Sequence, residues 1–260
     1  MTIIGNINLY GICYGGGKYV AVGFSNSNGV NVAYSTDGIN WETARIETFS
    51  KFNDVIYVNG KFIAAGGNGE IASSTDGANW TFITLEIGQI FNIVYENGRY
   101  VTVGGAGYIA YSNDGVNWVT KEIENISAFN WVTYGNGKFL AVGYLYNNGR
   151  TFLKVTSSAD GVNWTPVEPI SGSIEFNNVT YGDGKYVGVG NNGIVTYSTD
   201  GVNWTTTTIT GNSLNRIYYS DGKFVATGNR GTVATSTNGV DWTVTQLTSS
   251  YNLYGICPAR

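Results

Sequence analysis

Histidine is absent from the 260-residue sequence, and proline, cysteine and methionine are scarce, with three, two and one copies. Without histidine the chain can have neither an imidazole base nor a His-ligated metal site. Two cysteines are too few for a Cys-rich zinc or iron–sulfur site. The sequence therefore predicts no metal, no cofactor and no catalytic mechanism that depends on histidine.

Charge is also scarce. Charged residues make up 12% of the chain, and 14 Lys and Arg against 18 Asp and Glu give a net charge of −4. This balance lacks the basic excess that binding to a phosphate backbone needs, so we expect no nucleic-acid partner. No apolar run reaches the ~18 residues of a spanning helix, and residues 1–6 do not resemble a signal peptide. We expect no membrane insertion, and these features leave the localisation unknown; an extracellular or virion surface is suspected only from the family resemblance described below.

The chain has 37 glycines, and aromatic residues make up 14% of it. This composition is typical of short strands joined by tight turns. One heptapeptide pattern, Ser-x-(Asp/Asn)-Gly-x-(Asn/Asp)-Trp, occurs six times. We call it the heptapeptide turn. Its copies span residues 35–41, 74–80, 112–118, 158–164, 198–204 and 236–242.

A second motif precedes each copy and consists of a tight turn followed by an apolar strand, as in Gly60-Lys61-Phe62-Ile63-Ala64-Ala65-Gly66. The period of about 40 residues is typical of a propeller blade built from four strands, which we label A to D. Asn-Gly or Asp-Gly pairs join strands A and B as hairpins. We predict an all-β, six-bladed β-propeller with four antiparallel strands per blade, forming a single domain over residues 1–260.

The same pentapeptide, Leu-Tyr-Gly-Ile-Cys, stands at residues 9–13 and 253–257. The array therefore contains one surplus copy of strand A. We predict an extra inner strand at 251–260 that helps close the ring on blade 1, because closure protects sheet edges. The alternative is a strand-swapped oligomer, with a monomer favoured. Both cysteines are expected to be free, buried thiols.

The six heptapeptide turns resemble the Asp-box (BNR) repeat of sialidase-like β-propellers, shortened by one residue between Gly and Trp. They are also similar to repeats of photosystem II assembly-factor propellers and of propeller domains in bacterial surface and phage tail proteins. The resemblance covers essentially the whole chain. It implies that the turns staple the fold and lie away from any active site.

The resemblance implies that the A–B and C–D turns lie on one face and the D–A and B–C loops on the other. The second face, called here the D–A/B–C face, varies between repeats and is our candidate binding surface. Two of its B–C loops are long, residues 24–31 in blade 1 and 144–150 in blade 4. In a six-bladed ring these two blades would be opposite each other, so the loops could flank a groove. Neutral length drift is the alternative.

The start of strand A should line this face. Asparagine recurs at one position, at Asn53 for example, which suggests satisfaction of the backbone first and ligand contact second. The next position varies, and Trp131 there is the only tryptophan outside the heptapeptide turns. Its indole could stack on a sugar, contact a partner or pack between blades. The candidate ligand-binding residues are Asn53, Asp54, Trp131, Tyr146, Arg150, Asn178, Arg216 and Arg230.

The sialidase resemblance implies a tyrosine nucleophile and an arginine triad, for which Arg150, Arg216 and Arg230 are the candidates. The family's Phe/Tyr-Arg-Ile-Pro motif is absent, and no arginine precedes Arg45. We therefore predict a non-catalytic module that recognises a glycan or cell-surface ligand through the D–A/B–C face. A structural or assembly scaffold that binds protein, such as part of a phage tail or surface complex, is the alternative. A sialidase-like glycosidase comes third.

Overall fold

The computed structural model describes residues 7–25, 29, 31–48, 50–166, 176–248 and 251–257. These residues form six antiparallel sheets of four strands each, which are the blades of a β-propeller. The predicted fold class and number of blades are confirmed. No helix in the described part of the chain is long and apolar enough to cross a membrane.

The chain divides into two compact units. Unit 1 comprises residues 1–121 and 257–260 and contains three blades. Blade 1 consists of β1 (Asn8–Gly15), β2 (Lys18–Phe24), β3 (Val32–Ser35) and β4 (Glu42–Ala44). Blade 2 consists of β5 (Phe52–Val58), β6 (Lys61–Gly66), β7 (Glu70–Ser74) and β8 (Thr81–Thr84). Blade 3 consists of β9 (Ile90–Glu96), β10 (Arg99–Gly104), β11 (Tyr108–Ser112) and β12 (Val119–Glu122).

Unit 2 comprises residues 122–256 and contains the other three blades. Blade 4 consists of β13 (Ala128–Gly135), β14 (Lys138–Asn147), β15 (Arg150–Ser158) and β16 (Thr165–Pro166). Blade 5 consists of β17 (Phe176–Gly182), β18 (Lys185–Gly190), β19 (Ile194–Ser198) and β20 (Thr205–Thr208). Blade 6 consists of β21 (Leu214–Ser220), β22 (Lys223–Gly228), β23 (Thr232–Ser236) and β24 (Thr243–Gln246). Single 3-10 turns link strands B and C in blades 2, 5 and 6, at Gly67–Gly69, Asn191–Gly193 and Asn229–Gly231.

Every first strand carries a β-bulge near its start. In blade 2 the pairing with β6 jumps from Phe52 to Asp54, so that Asn53 is left out of the ladder. The corresponding jump occurs in all six blades. Because a bulge turns the skipped side chain away from the regular alternation, this residue can reach the neighbouring blade.

Strand B is buried almost along its whole length, as predicted from its apolar sequence. In β10, for instance, all residues after Arg99 are buried. Apolar clusters lie between neighbouring blades within each unit, and one of them joins Val20 of blade 1 to Phe52 and Phe62 of blade 2. A strand packed on both faces cannot alternate between apolar and polar residues, which explains its continuous apolar sequence.

The heptapeptide turn is held by one repeated set of hydrogen bonds, as blade 3 illustrates. Asp114 Oδ1 accepts the backbone N–H groups of Val116 and Asn117 at 2.8 Å each, and Oδ2 accepts Asn117 Nδ2 at 2.8 Å. Ser112 Oγ accepts the N–H of Gly115 at 2.9 Å. These bonds satisfy the backbone N–H groups of Gly115, Val116 and Asn117 within the turn, which supports a structural role for the motif.

Blade 6 exchanges the two polar residues of the turn without losing the geometry. Asn238 Oδ1 accepts the N–H groups of Val240 and Asp241 at 2.9 Å, and Asn238 Nδ2 donates to Asp241 Oδ2 at 2.9 Å. The donor and acceptor of the side-chain bond have changed places. This equivalence explains why the sequence pattern permits either Asp or Asn at both positions.

The turn aspartates make the free energy of unfolding depend on pH in the acidic range. The backbone N–H of Asn117, followed by that of Val116, holds the pKa of Asp114 well below its usual range, and the same kind of bond lowers the pKa of Asp37, Asp76, Asp160 and Asp200. In the unfolded chain an aspartate titrates near about 3.9. The stabilisation is therefore complete above that pH and is lost as the pH falls towards the folded-state pKa.

We predict that the melting temperature falls steadily between about pH 5 and pH 2. Asp114→Asn removes one of the five titrating turns and should make this decline shallower, because the folded turn then no longer prefers an ionised group. Thermal melts of both proteins across this pH range test the prediction. Parallel curves for the variant and the wild type would contradict it.

Candidate functional site

The long B–C connection of blade 4 is an ordered hairpin instead of a loop. Strands β14 and β15 stay paired up to Asn147 and Arg150, and a two-residue turn joins them. Asn148 and Gly149 in that turn have φ angles of 50° and 76°, the pattern of a type I′ turn. The D–A residue Ser127 braces the hairpin, since Tyr146 N–H donates to Ser127 Oγ at 2.9 Å.

Tyr146 and Arg150 lie near the tip of this hairpin on the D–A/B–C face. Tyr146 is 61% exposed, and Arg150 is exposed as well. The corresponding long connection of blade 1 includes residues 26–28 and 30, which lie outside the described residues. Its last residue, Asn31, is buried and uses its side chain internally, since Oδ1 accepts the N–H of Ile46 at 2.8 Å.

The recurring asparagine of strand A bonds to the next blade. Asn53 Nδ2 donates to the carbonyl of Ile90 at 2.6 Å, and Ile90 is the first residue of β9. In unit 2, Asn130 donates in the same way to Phe176 and Asn177 to Leu214, at 2.6 and 2.8 Å. The bulge thus places an amide where it satisfies the first carbonyl of the following blade.

Two residues at the varied position also serve the backbone of the next blade. Asp54 Oδ2 accepts Asn92 Nδ2 at 2.6 Å and the N–H of Ile93 at 3.1 Å. Asn178 Oδ1 accepts the N–H of Ile217 at 3.3 Å. Asn178 is 1% exposed, and its Nδ2 has no hydrogen-bond partner among the described residues. A buried amide of this kind is costly unless a water molecule or a ligand accepts its hydrogens.

The structure brings two predicted site residues of unit 2 into direct contact. The Arg216 guanidinium of β21 lies over the indole of Trp131 of β13, 4.4 Å from the ring centroid. Both side chains are half-buried, and Trp131 also packs against the apolar cluster shared by blades 4 and 5. This cation–π pair joins blades that are not neighbours in sequence, and no pattern in the sequence indicates the pairing.

Arg230 occupies an unusual backbone position. It lies at φ 55° in the B–C turn of blade 6, where blades 2 and 5 have Asn68 and Asn192 at φ 57° and 55°. Asparagine tolerates this left-handed region far better than arginine does. The side chain of Arg230 is exposed on the D–A/B–C face. A residue that opposes the local backbone preference at an exposed tip supports a functional role.

Among the described residues there is no cluster of three or more Cys, Asp or Glu side chains that could hold a metal ion. Cys13 and Cys257 are free thiols, as predicted, although both are half-buried and not buried. Burial raises the pKa of Cys13, and the nearby Cys257 and Asp54 raise it further. A thiol held in its protonated form is a poor nucleophile.

The second copy of the terminal pentapeptide does not form the predicted inner strand. Residues 251–257 have no regular secondary structure. The reason lies in blade 1, where the first copy already pairs with β2 as part of β1 and occupies that edge. The second copy instead contacts blade 6, where Asn215 Nδ2 donates to the carbonyl of Leu253 at 3.0 Å.

The Leu253 carbonyl thus accepts from blade 6 the bond that the Leu214 carbonyl accepts from blade 5. Sequence reasoning recognised the repeated pentapeptide but missed the asparagines before it, Asn8 and Asn252. Asn252 Oδ1 accepts the N–H of Arg230 at 3.1 Å, so it contributes to the D–A/B–C face. The two copies are identical over six residues and not five, and this longer identity was the signal that could have identified Asn252.

No protein-family model and no curated protein matches the sequence. Among solved structures, the chain is similar to YCF48 bound to D1 peptide, with 19% identity, a TM-score of 0.71 and coverage of 94% of this chain and 84% of that chain. YCF48 from Cyanidioschyzon merolae has 18% identity and a TM-score of 0.71, with coverage of 97% and 90%. The WD40 β-propeller domain of Doa1 has 13% identity and a TM-score of 0.70, with coverage of 96% and 86%. These similarities confirm the propeller fold.

We predict that deletion of residues 251–260 lowers the melting temperature by roughly 4–24 °C. Four hydrogen bonds hold residues 251–253 on blade 6, each contributing about 0.5–1.5 kcal/mol, and 1 kcal/mol shifts a domain of this size by about 2–4 °C. Differential scanning calorimetry of the shortened and full-length proteins measures the change. An unchanged melting temperature would refute a stabilising role for this segment.

Proposed function

We propose that the protein is a non-catalytic interaction module that binds an extended peptide segment of a partner protein on the D–A/B–C face of unit 2. The observation that carries the proposal is the Arg216 guanidinium held over Trp131 at 4.4 Å. Stacking on the indole orients the guanidinium and limits the rotamers of Arg216. A guanidinium held in one orientation is a positive charge that suits the carboxylate groups of a peptide.

Other groups on unit 2 fit the same ligand class. Arg230, which is exposed in the 3-10 turn of blade 6, presents a second guanidinium. Tyr146 adds exposed aromatic surface on the hairpin, and tyrosine and arginine are enriched where proteins bind each other. The described residues of the hairpin carry Arg150 and Lys154 and no acid, which favours acidic segments.

The comparison with known structures supports a protein ligand. YCF48, which is similar in fold over most of the chain, is bound to a D1 peptide in one of the matched structures. The match is one of fold at 19% identity, so the ligand of this protein has to follow from its own residues. A propeller of this fold can nevertheless hold a peptide, which is the use we infer for Trp131 and Arg216.

A glycan ligand is less well supported by the geometry. A sugar ring stacks on an open aromatic face, whereas Arg216 covers one face of Trp131 and the indole also packs against the apolar cluster of blades 4 and 5. The sialidase interpretation meets a similar difficulty, since Arg216 is engaged with an aromatic ring and Arg230 is oriented by a turn. We therefore favour the protein-binding scaffold over the glycan module.

We predict that the protein binds sequences on a peptide array and that Arg216→Ala weakens binding to the best of them by about 1–3 kcal/mol, or roughly 5- to 150-fold in Kd. The variant loses a preorganised donor and the cover over Trp131. Isothermal titration calorimetry measures the affinity, and a glycan array probed in parallel tests the other ligand class.

Arg99→Ala is the matched control. Arg99 also lies over an aromatic ring, 5.6 Å from the centroid of Tyr111, but it follows the A–B turn on the opposite end of its blade. The Arg99→Ala protein should bind the peptide like the wild type. The Lys61→Glu protein, changed at the equivalent position of blade 2, should do the same. Hits confined to the glycan array, or loss of binding in Arg99→Ala but not in Arg216→Ala, would overturn the proposal.

A further inference from the structure

Residues 251–253 lie on blade 6 as an extended peptide would lie in a binding site. The N–H of Gly231 donates to the carbonyl of Tyr251 at 2.8 Å, and the N–H of Leu253 donates to the carbonyl of Gly228 at 3.0 Å. Arg230 N–H binds Asn252 Oδ1 at 3.1 Å. With the bond from Asn215 to Leu253, every residue of this short segment is held by the main chain or by an amide of blade 6.

The groups that hold the segment are preformed, because blade 5 uses the same arrangement within the continuous chain. There the N–H of Asn192, at the place of Arg230, donates to Ser213 Oγ at 3.3 Å, and Asn177 Nδ2 donates to the carbonyl of Leu214 at 2.8 Å. Ser213 and Leu214 thus correspond to Asn252 and Leu253. At blade 5 the bonds receive the start of the next blade, whereas at blade 6 they receive a segment that belongs to no sheet.

The turn that provides these groups is itself well fixed. Gln246 of β24 donates to the carbonyl of Arg230, and the 3-10 turn at Asn229–Gly231 matches the turns of blades 2 and 5 in its dihedral angles. The acceptor Asn229 Oδ1 orients Asn215 Nδ2 at 3.0 Å. The site therefore does not depend on the segment for its shape.

The hydrogen bonds between the segment and blade 6 involve mainly the backbone of the segment. Tyr251 is 77% exposed, and Tyr254 is 41% exposed and accepts a hydrogen bond from Asn252 Nδ2 at 3.2 Å. The sequence from Asn252 to Cys257 is identical to that from Asn8 to Cys13, which forms a regular first strand. The same six residues therefore form a strand in blade 1 and a segment without regular secondary structure on blade 6.

We propose that blade 6 carries a docking site for an extended Asn-Leu-Tyr segment, filled in cis by residues 251–256 and able to accept the same segment of a second copy of this chain. Exchange between copies preserves every hydrogen bond at the site, so that only the association itself opposes it. The proposal does not depend on the peptide partner inferred above, because its ligand is the protein's own sequence.

The test uses the full-length protein and a fluorescein-labelled peptide with the sequence of residues 250–256. Asn252→Ala weakens the cis segment by removing its bond to Arg230 N–H, while the groups of blade 6 stay unchanged. Fluorescence anisotropy should show that this variant binds the peptide about two- to tenfold more tightly than the wild type does. Asn147→Ala, on the hairpin of blade 4, is the control and should match the wild type.

A second peptide, with alanine in place of the asparagine equivalent to Asn252, should bind the Asn252→Ala protein about two- to tenfold more weakly than the native peptide. Equal affinity of the two proteins for the native peptide would overturn the proposal, because the cis segment would then not compete. Equal affinity of the two peptides, or no binding by either protein, would overturn it as well.

Discussion

The β-bulge at the start of each strand A is the feature on which the joining of neighbouring blades depends. Each first strand carries a bulge, and the bulge leaves a carbonyl or an N–H without a partner in its own sheet. In blades 2, 4 and 5 an asparagine at the bulge donates to the first carbonyl of the next blade, as Asn53 does for Ile90 and Asn177 for Leu214. These blades are thus joined to the next by apolar packing and by an asparagine amide. Where no further blade follows in unit 2, residues 251–253 take that role on blade 6.

This constraint separates structural from available residues on the candidate face. Asn53, Asp54 and the Oδ1 of Asn178 bind groups of the next blade, so these atoms hold neighbouring blades of one unit together. Trp131 and Arg216 form a cation–π contact, and Arg230 is exposed in the 3-10 turn of blade 6. We propose that recognition uses the positions at which a blade carries a residue other than the one that bonds to the next blade.

Much of the fold could be predicted because its determinants are local and repeated. The heptapeptide turn, the Asn-Gly hairpins and the continuous apolar strand B each act within about 40 residues, and each copy supports the others. The pairing of Trp131 with Arg216 joins residues far apart in sequence and follows no period, so no pattern indicated it. The sequence predicts a loop at 144–150, whereas the structure has a hairpin there, because the polar Asn-Asn-Gly-Arg tip does not indicate that the strands on either side stay paired. The sequence predicts a strand at 251–260, but residues 251–257 form none, because the identical first copy already occupies that position in β1.

The central claim is that recognition belongs to the D–A/B–C face of unit 2, while the heptapeptide turns are structural. Amide hydrogen exchange followed by mass spectrometry, with and without a peptide that the protein binds, tests it most directly. The account predicts slower exchange at the start of β13 and β21 and in the Asn229–Gly231 turn, with unchanged exchange in the heptapeptide turns. Protection confined to the heptapeptide turns or to the A–B hairpins would contradict it.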